Sequence, residues 1–167
     1  VLRKTVLLLD TPLTPEQQDF HQIIRTSGDA LLSLINEILD LSKLEAGEME
    51  LEMLNFNLST CIDEVLDLLA PQAYAKNLEI AGLIYRNVPT YLQGDAGRLR
   101  QVLTNLISNA IKFTSDGEVV VRAELQSETS AIARIRFTVI DTGIGIILED
   151  QHKLFSPFTQ VDASTTR

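Results

Sequence analysis

Three polar residues recur over about two helical turns of a strongly amphipathic stretch: Asn105, Asn109 and Lys112 in "NLISNAIK". At about 100° per residue, a helix carries all three within roughly 60° of one face. Amide oxygens are hard, neutral ligands, suited to Mg²⁺ when phosphates and water complete its shell. A lysine beside them supplies a point charge for phosphate. Asn is a poor helix former, so two on one face of an otherwise good helix call for a reason; a polar solvent face is the bland one. A second group follows an apolar run: "DTGIGI", Asp141 to Ile146. Gly143 and Gly145 allow a sharp turn and close approach of a ligand. Asp141, at a strand end, is placed to accept a hydrogen bond from an exocyclic amine. A lone Gly-x-Gly is weak evidence, and this one is neither a Rossmann fingerprint nor a Walker-type loop.

These residues need a scaffold, and the totals permit one. The chain has 167 residues, 45% of them apolar but only 5% aromatic, so aliphatic packing must form the core. A net charge of −9 argues against nonspecific nucleic-acid binding and against contact with an anionic membrane surface. Cys61 is the single cysteine, which excludes an internal disulfide and suits a buried thiol in a reducing compartment. The apolar run in "VLRKTVLLLD" is far shorter than the roughly 20 residues that span a bilayer. The expectation is a soluble, cytoplasmic segment, whatever membrane or sensing domains its parent carries.

The order of elements follows from period and punctuation. Residues 1–9 read as the end of a helix. Thr14 is a candidate N-cap with Pro15 at the first helical position. Phe20, Ile23, Ile24, Leu31, Leu34, Ile35, Ile38, Leu41 and Leu44 then form a long apolar stripe, closed by Gly47. This is a helical hairpin, and a second copy would complete a four-helix bundle. Beyond it the pattern predicts a strand at "EMELEML", a helix capped by Ser59 or Thr60, and strands at "LEIAGLIY" and "TYLQGD". The Asn-bearing helix comes next, with Asp95 as its cap. Two antiparallel strands, "GEVVVRAELQ" and "AIARIRFTVID", precede the glycine loop, which is followed by a brief helix. The predicted class is α+β: a hairpin over 1–49, then an α/β sandwich over 50–167.

The combination of an Asn-x3-Asn-x2-Lys helix, two strands and Asp-x-Gly-x-Gly resembles the ATP-binding domain of sensor histidine kinases, a fold shared with gyrase-type ATPases. "LFSPFTQVDASTTR" looks like that family's phenylalanine box, with Phe155 and Phe158. "LINEILDLSKLEAG" looks like the second helix of its dimerisation domain, especially in hybrid, cyanobacterial-like kinases. The resemblance implies ATP and Mg²⁺ as cofactors. Asn109 would ligate Mg²⁺ with Asn105 beside it, and Lys112 would contact phosphate. Asp141 would bind the adenine amino group over a floor shaped by Gly143 and Gly145, while Phe155 and Phe158 would anchor the ATP lid. Arg98 and Arg100 remain as structural residues. The implied partners are a second copy, through the hairpin, and a response-regulator receiver domain. The implied activity is transfer of the ATP γ-phosphoryl group to a histidine, for relay to a receiver aspartate. A catalytically inactive, dimerising scaffold is the alternative. A third reading, an ATP-hydrolysing machine of the gyrase class, is opposed by the hairpin and the phenylalanine box.

Two elements of the family pattern are not found: the acceptor-histidine box and the second glycine box, as expected of a sequence cut at both ends. His21 is a poor match to that acceptor. An extra Ile precedes Arg25, Ser27 stands in place of proline, and Gln22 replaces the acid that would act as general base. The expectation is that His21 is a partly exposed helix residue and that His152 lies on the surface.

Overall fold

The computed structural model describes residues 13–151. The predicted helix over 1–9, together with His152, Phe155 and Phe158, lies outside the described residues. The chain divides into two compact units, one ending at Leu51 and the other starting at Glu52.

In the first unit, helix α1 (Pro15–Glu45) is 31 residues long. Its start is a capping box. The Thr14 hydroxyl accepts the Gln17 N–H, and the Gln17 side chain accepts the Thr14 N–H at 3.0 Å. At the other end Gly47 takes φ +70°, a conformation that favours glycine. The apolar stripe is where the period places it, and it is exposed along its length from Phe20 to Leu44. His21 corrects the sequence expectation. It is 5% exposed, a buried residue on a helix whose apolar neighbours are open to solvent.

The second unit is a two-layer α/β sandwich. Strand β1 (Leu54–Asn57) pairs antiparallel with β3 (Tyr91–Gly94). The predicted strand at "EMELEML" is not formed. Pairing starts at Leu54, where Gly94 supplies a partner, and the residues before it have none in a ladder. A three-stranded sheet runs in the order β2 (Glu79–Ile84), β4 (Glu118–Glu128), β5 (Ala133–Asp141). β2 and β4 are parallel, so helix α3 (Ala96–Phe113) lies on the long connection between them. β4 and β5 form the predicted antiparallel pair, with a register shift between Leu125 and Ser127.

Helix α2 (Leu58–Tyr74) is capped one residue before its start by Asn57, whose side chain accepts the Thr60 N–H; Ser59 and Thr60 are inside the helix. Leu58, Ile62, Val65 and Leu69 of α2 and Leu103, Ile107 and Ile111 of α3 bury themselves over Val119, Val121 and Ala123 of β4. Burying each such aliphatic side chain contributes about 1.5–3 kcal/mol, so this core fixes where the two helices sit on the sheet. Among the described residues no helix is long and apolar enough to cross a membrane.

Candidate functional site

The Asn-bearing helix is aligned at both ends. At its start Asp95 is the N-cap, as predicted: one carboxylate oxygen accepts the Arg98 N–H at 2.8 Å. The other oxygen accepts the Glu52 N–H at 3.2 Å, which ties the start of this unit to α3. These two backbone donors, Arg98 first and then Glu52, hold the Asp95 carboxyl below its ordinary pKa. Arg98 and Arg100 have structural contacts: Arg98 donates to the Gln101 side chain at 2.8 Å, and Arg100 pairs with Glu64 of α2 at 3.2 Å. Cys61 is buried next to α3 and its thiol lies 3.9 Å from the Ala96 carbonyl. Burial pushes that thiol's pKa up, with the Arg100 charge opposing.

Because Leu103, Ile107 and Ile111 face the core, the residues between them face outward. Asn105, Asn109 and Lys112 are all exposed on that outer face. Lys112 places its ammonium 5.1 Å from the centroid of the Phe113 ring. No cluster of three or more carboxylate, imidazole or thiol ligands exists among the described residues. A divalent ion here has amide oxygens to meet, which fits Mg²⁺ carried in on phosphates and water.

The glycine loop joins α3 at its last carbonyl. The Gly143 N–H donates to the Asp141 carboxylate at 2.9 Å, and the Ile144 N–H donates to the Phe113 carbonyl at 3.4 Å. A Cβ on Gly143 would lie 2.6 Å from that same Phe113 oxygen, so only glycine lets the loop close on the helix. Gly145 takes φ +66° with open space around it. Asp141 is exposed and is the last residue of strand β5. The structure therefore brings Asp141, Gly143 and Gly145 to the helix end that carries Lys112, one turn beyond Asn109.

Two residues of this junction were not singled out from the sequence. Thr142 donates its hydroxyl to the Asp116 carbonyl and accepts the Glu118 N–H, both at 3.1 Å, and so pins the loop to the turn before β4. The opposing Gly117 has φ +107°, and a Cβ there would collide with the Thr142 hydroxyl. Lys76, after α2, reaches the end of α3 and donates to the carbonyls of Ile111, Lys112 and the capping Thr114. Neither residue sits in an amphipathic pattern. The available signals were the Thr inside "DTGIGI" and the lysine before the helix-reversing Asn77, which has φ +57°. A cavity of about 240 Å³, lined among others by Leu58, Ile84, Arg86 and Pro89, includes none of the candidate site residues.

Residues 94–167 match the family described as histidine kinase-, DNA gyrase B- and HSP90-like ATPase, and residues 5–47 match the His Kinase A (phospho-acceptor) domain. This chain belongs to the sensor histidine kinases. Sensor protein GacS of Pseudomonas syringae pv. syringae is 50% identical over all of this chain, which spans 18% of that relative. Signal transduction histidine-protein kinase BarA of Escherichia coli is 44% identical over the same stretch and is likewise spanned to 18%. Hybrid signal transduction histidine kinase B of Dictyostelium discoideum is 40% identical and spanned to 8%. The chain therefore covers a small part of the length of these relatives.

Among solved structures, full-length ShkA in complex with AMPPNP matches with a TM-score of 0.76 at 39% identity, covering 96% of this chain and 34% of that one. Histidine kinase ThkA in complex with response regulator protein TrrA matches with a TM-score of 0.61 at 25% identity, covering 95% and 46%. The α+β architecture and the ATPase-type domain that the sequence predicts are those of this family. The matched kinase segments contain every candidate site residue.

Proposed function

We propose that this chain is the ATP-binding core of a protein-histidine kinase, one that transfers the γ-phosphoryl group of ATP to a histidine for relay to a receiver aspartate. The junction at the Phe113 carbonyl carries the reading. It joins the Asn105–Asn109–Lys112 face to the Asp141–Gly145 loop, so one nucleotide can meet both. Asp141 accepts the adenine amino group, Gly143 and Gly145 leave room for the ring, and Lys112 offsets phosphate charge. Asn109, with Asn105 beside it, holds Mg²⁺, which when bound shields charge on the phosphates. Phe155 and Phe158, in the matched segment, anchor the lid. The AMPPNP held by ShkA supports the nucleotide assignment.

His21 is not the acceptor in this reading. It is buried, and its neighbour Gln22 has no basic oxygen to take the imidazole proton. The acceptor in this reading is a histidine other than His21. The exposed stripe of α1 pairs with a second copy to form a four-helix bundle, and a receiver domain is the downstream partner, as the ThkA–TrrA complex supports. The hairpin occupies 1–49 and the ATP-binding domain begins near residue 50.

The first test is equilibrium ATP binding, with and without Mg²⁺, to the chain and to Asp141→Asn. Exchanging a charged carboxylate acceptor for an amide, which keeps one acceptor oxygen and adds a donor, should weaken binding about tenfold or more. Equal binding by both chains removes Asp141 from the site. Incubation with γ-labelled ATP should leave His21 unlabelled; acid-labile label that disappears in His21→Gln refutes this placement of the acceptor.

A further inference from the structure

The last carbonyls of a helix have no partner within it and must find one elsewhere. In α3 each one does. Ala110 accepts from the N–H of Thr114 at 3.0 Å and from its hydroxyl at 2.8 Å. Ile111 and Lys112 accept from the Lys76 ammonium, both at 2.8 Å, and the Thr114 carbonyl accepts from it at 3.2 Å. Between Ile111 and Thr114 the Phe113 carbonyl is the one that Lys76 does not take, and it receives Ile144 of the glycine loop. A cation at this end also meets the negative pole of the helix.

The position of that ammonium is itself built. α2 ends in a Schellman arrangement, with the Leu78 N–H on the Ala73 carbonyl and the Asn77 N–H on the Tyr74 carbonyl, both at 3.0 Å. Asn77 at φ +57° reverses the chain, and the Glu79 N–H then bonds the Gly117 carbonyl at 3.0 Å. Lys76 is thus held between two anchored points, within reach of the helix end.

We infer that Lys76 is a positioning residue for the nucleotide site. This deepens the ATP-binding reading and rests on it. By holding the carbonyls on either side of Phe113, Lys76 keeps the Phe113 oxygen turned toward the glycine loop. It also fixes the backbone of Lys112, whose side chain meets phosphate. Three donors are needed at one point. An ammonium supplies three, and a neutral side chain of the same length supplies none.

The test compares Lys76→Met, which keeps the stem, with Lys76→Arg, which restores the charge. Amide hydrogen exchange at Ile144 is followed in the nucleotide-free chain, and Mg-ATP affinity is measured alongside. Lys76→Met should speed Ile144 exchange and weaken ATP binding, each about tenfold, with Lys76→Arg recovering most of both. Val65→Ala, which opens the core away from the loop, should lower the melting temperature at least as much while moving neither readout. Wild-type exchange and affinity in Lys76→Met overturn the inference. So does a loss that Val65→Ala reproduces, or one that Lys76→Arg leaves unrelieved. If the wild-type chain binds no ATP, the nucleotide reading falls by itself, and Ile144 exchange still decides whether Lys76 holds the loop.

Discussion

Helices α1 and α3 have the same period and opposite fates. Along α1, Phe20, Leu31, Ile38 and Leu44 are each more than half exposed, whereas Leu103 and Ile107 of α3 are fully buried. The difference is in what each helix meets. The face of α3 has a sheet to pack on, and its ends are bound by Asp95 and Lys76. Among the described residues, α1 has its capping box at Thr14 and a turn at Gly47, and its stripe lies open. A stripe in a sequence reports that a helix must be covered; it does not report by what. In proteins, packing of an apolar face outweighs propensity as the source of a helix's stability, which is why α1 is read as an element awaiting a second copy.

Substitutions on the two faces should separate them sharply. Ile107→Ala should destabilise the α/β unit by about 2–5 kcal/mol, since it opens a cavity at a fully buried site. Urea unfolding checks this, and a shift near zero would mean the core is not packed there. Gly117→Ala should cost about 1–3 kcal/mol, because it combines positive φ with a collision at Thr142. Thr142→Ser, which keeps the hydroxyl, should lose far less in the same measurement. Thr14→Ala should cost α1 about 1 kcal/mol of helix stability, read as lost ellipticity, and leave the unfolding of the second unit unchanged. Ile38→Asp should leave stability of the α/β unit within about 0.5 kcal/mol, yet weaken self-association in sedimentation velocity; equal association would break the contrast drawn here.

A pH experiment sharpens the comparison at the start of α3. Asp95 has a folded pKa below its unfolded value, so the ionised form favours the folded state. Its contribution is complete above the ordinary Asp value of about 3.9 and is lost as pH falls through the lower folded pKa. Asp95→Asn removes that titration. Its stability should therefore decline less steeply below about pH 4 than that of the wild type, as acid unfolding curves would show.

Most of the second unit was legible because its elements carry strong local signals: Asp95 before α3, the alternation of β4 and β5, and glycines after β5. The failures have local causes. "EMELEML" alternates like a strand, but a strand exists only where another lies beside it, and Gly94 is the first partner on offer. Asn57 outranked Ser59 and Thr60 because the helix starts at Leu58, and the cap precedes the first helical residue. His21 was misjudged because a helix position shows its own face and nothing of what lies against it. The candidate residues Asn105, Asn109, Lys112 and Asp141 were readable as types at a spacing. Lys76 and Thr142 were not, since their partners are backbone carbonyls and amides that fall into place only when α2, α3 and β4 are assembled.

The parallel pairing of β2 with β4 has a consequence for how the chain is made. β2 leaves the ribosome before β3, α3 and β4, yet its ladder partners run from Glu118 to Ala123. Until they arrive, its Ile80 and Ile84 have neither a neighbouring strand nor the complete core beneath them. Long-range parallel pairs of this kind form late and leave strand edges open during synthesis. The nascent chain is therefore most vulnerable to misassociation in the interval between translation of Ile84 and translation of Ala123, a window in which slower elongation or a shortage of chaperone would lower yield before any defect appeared in the finished fold.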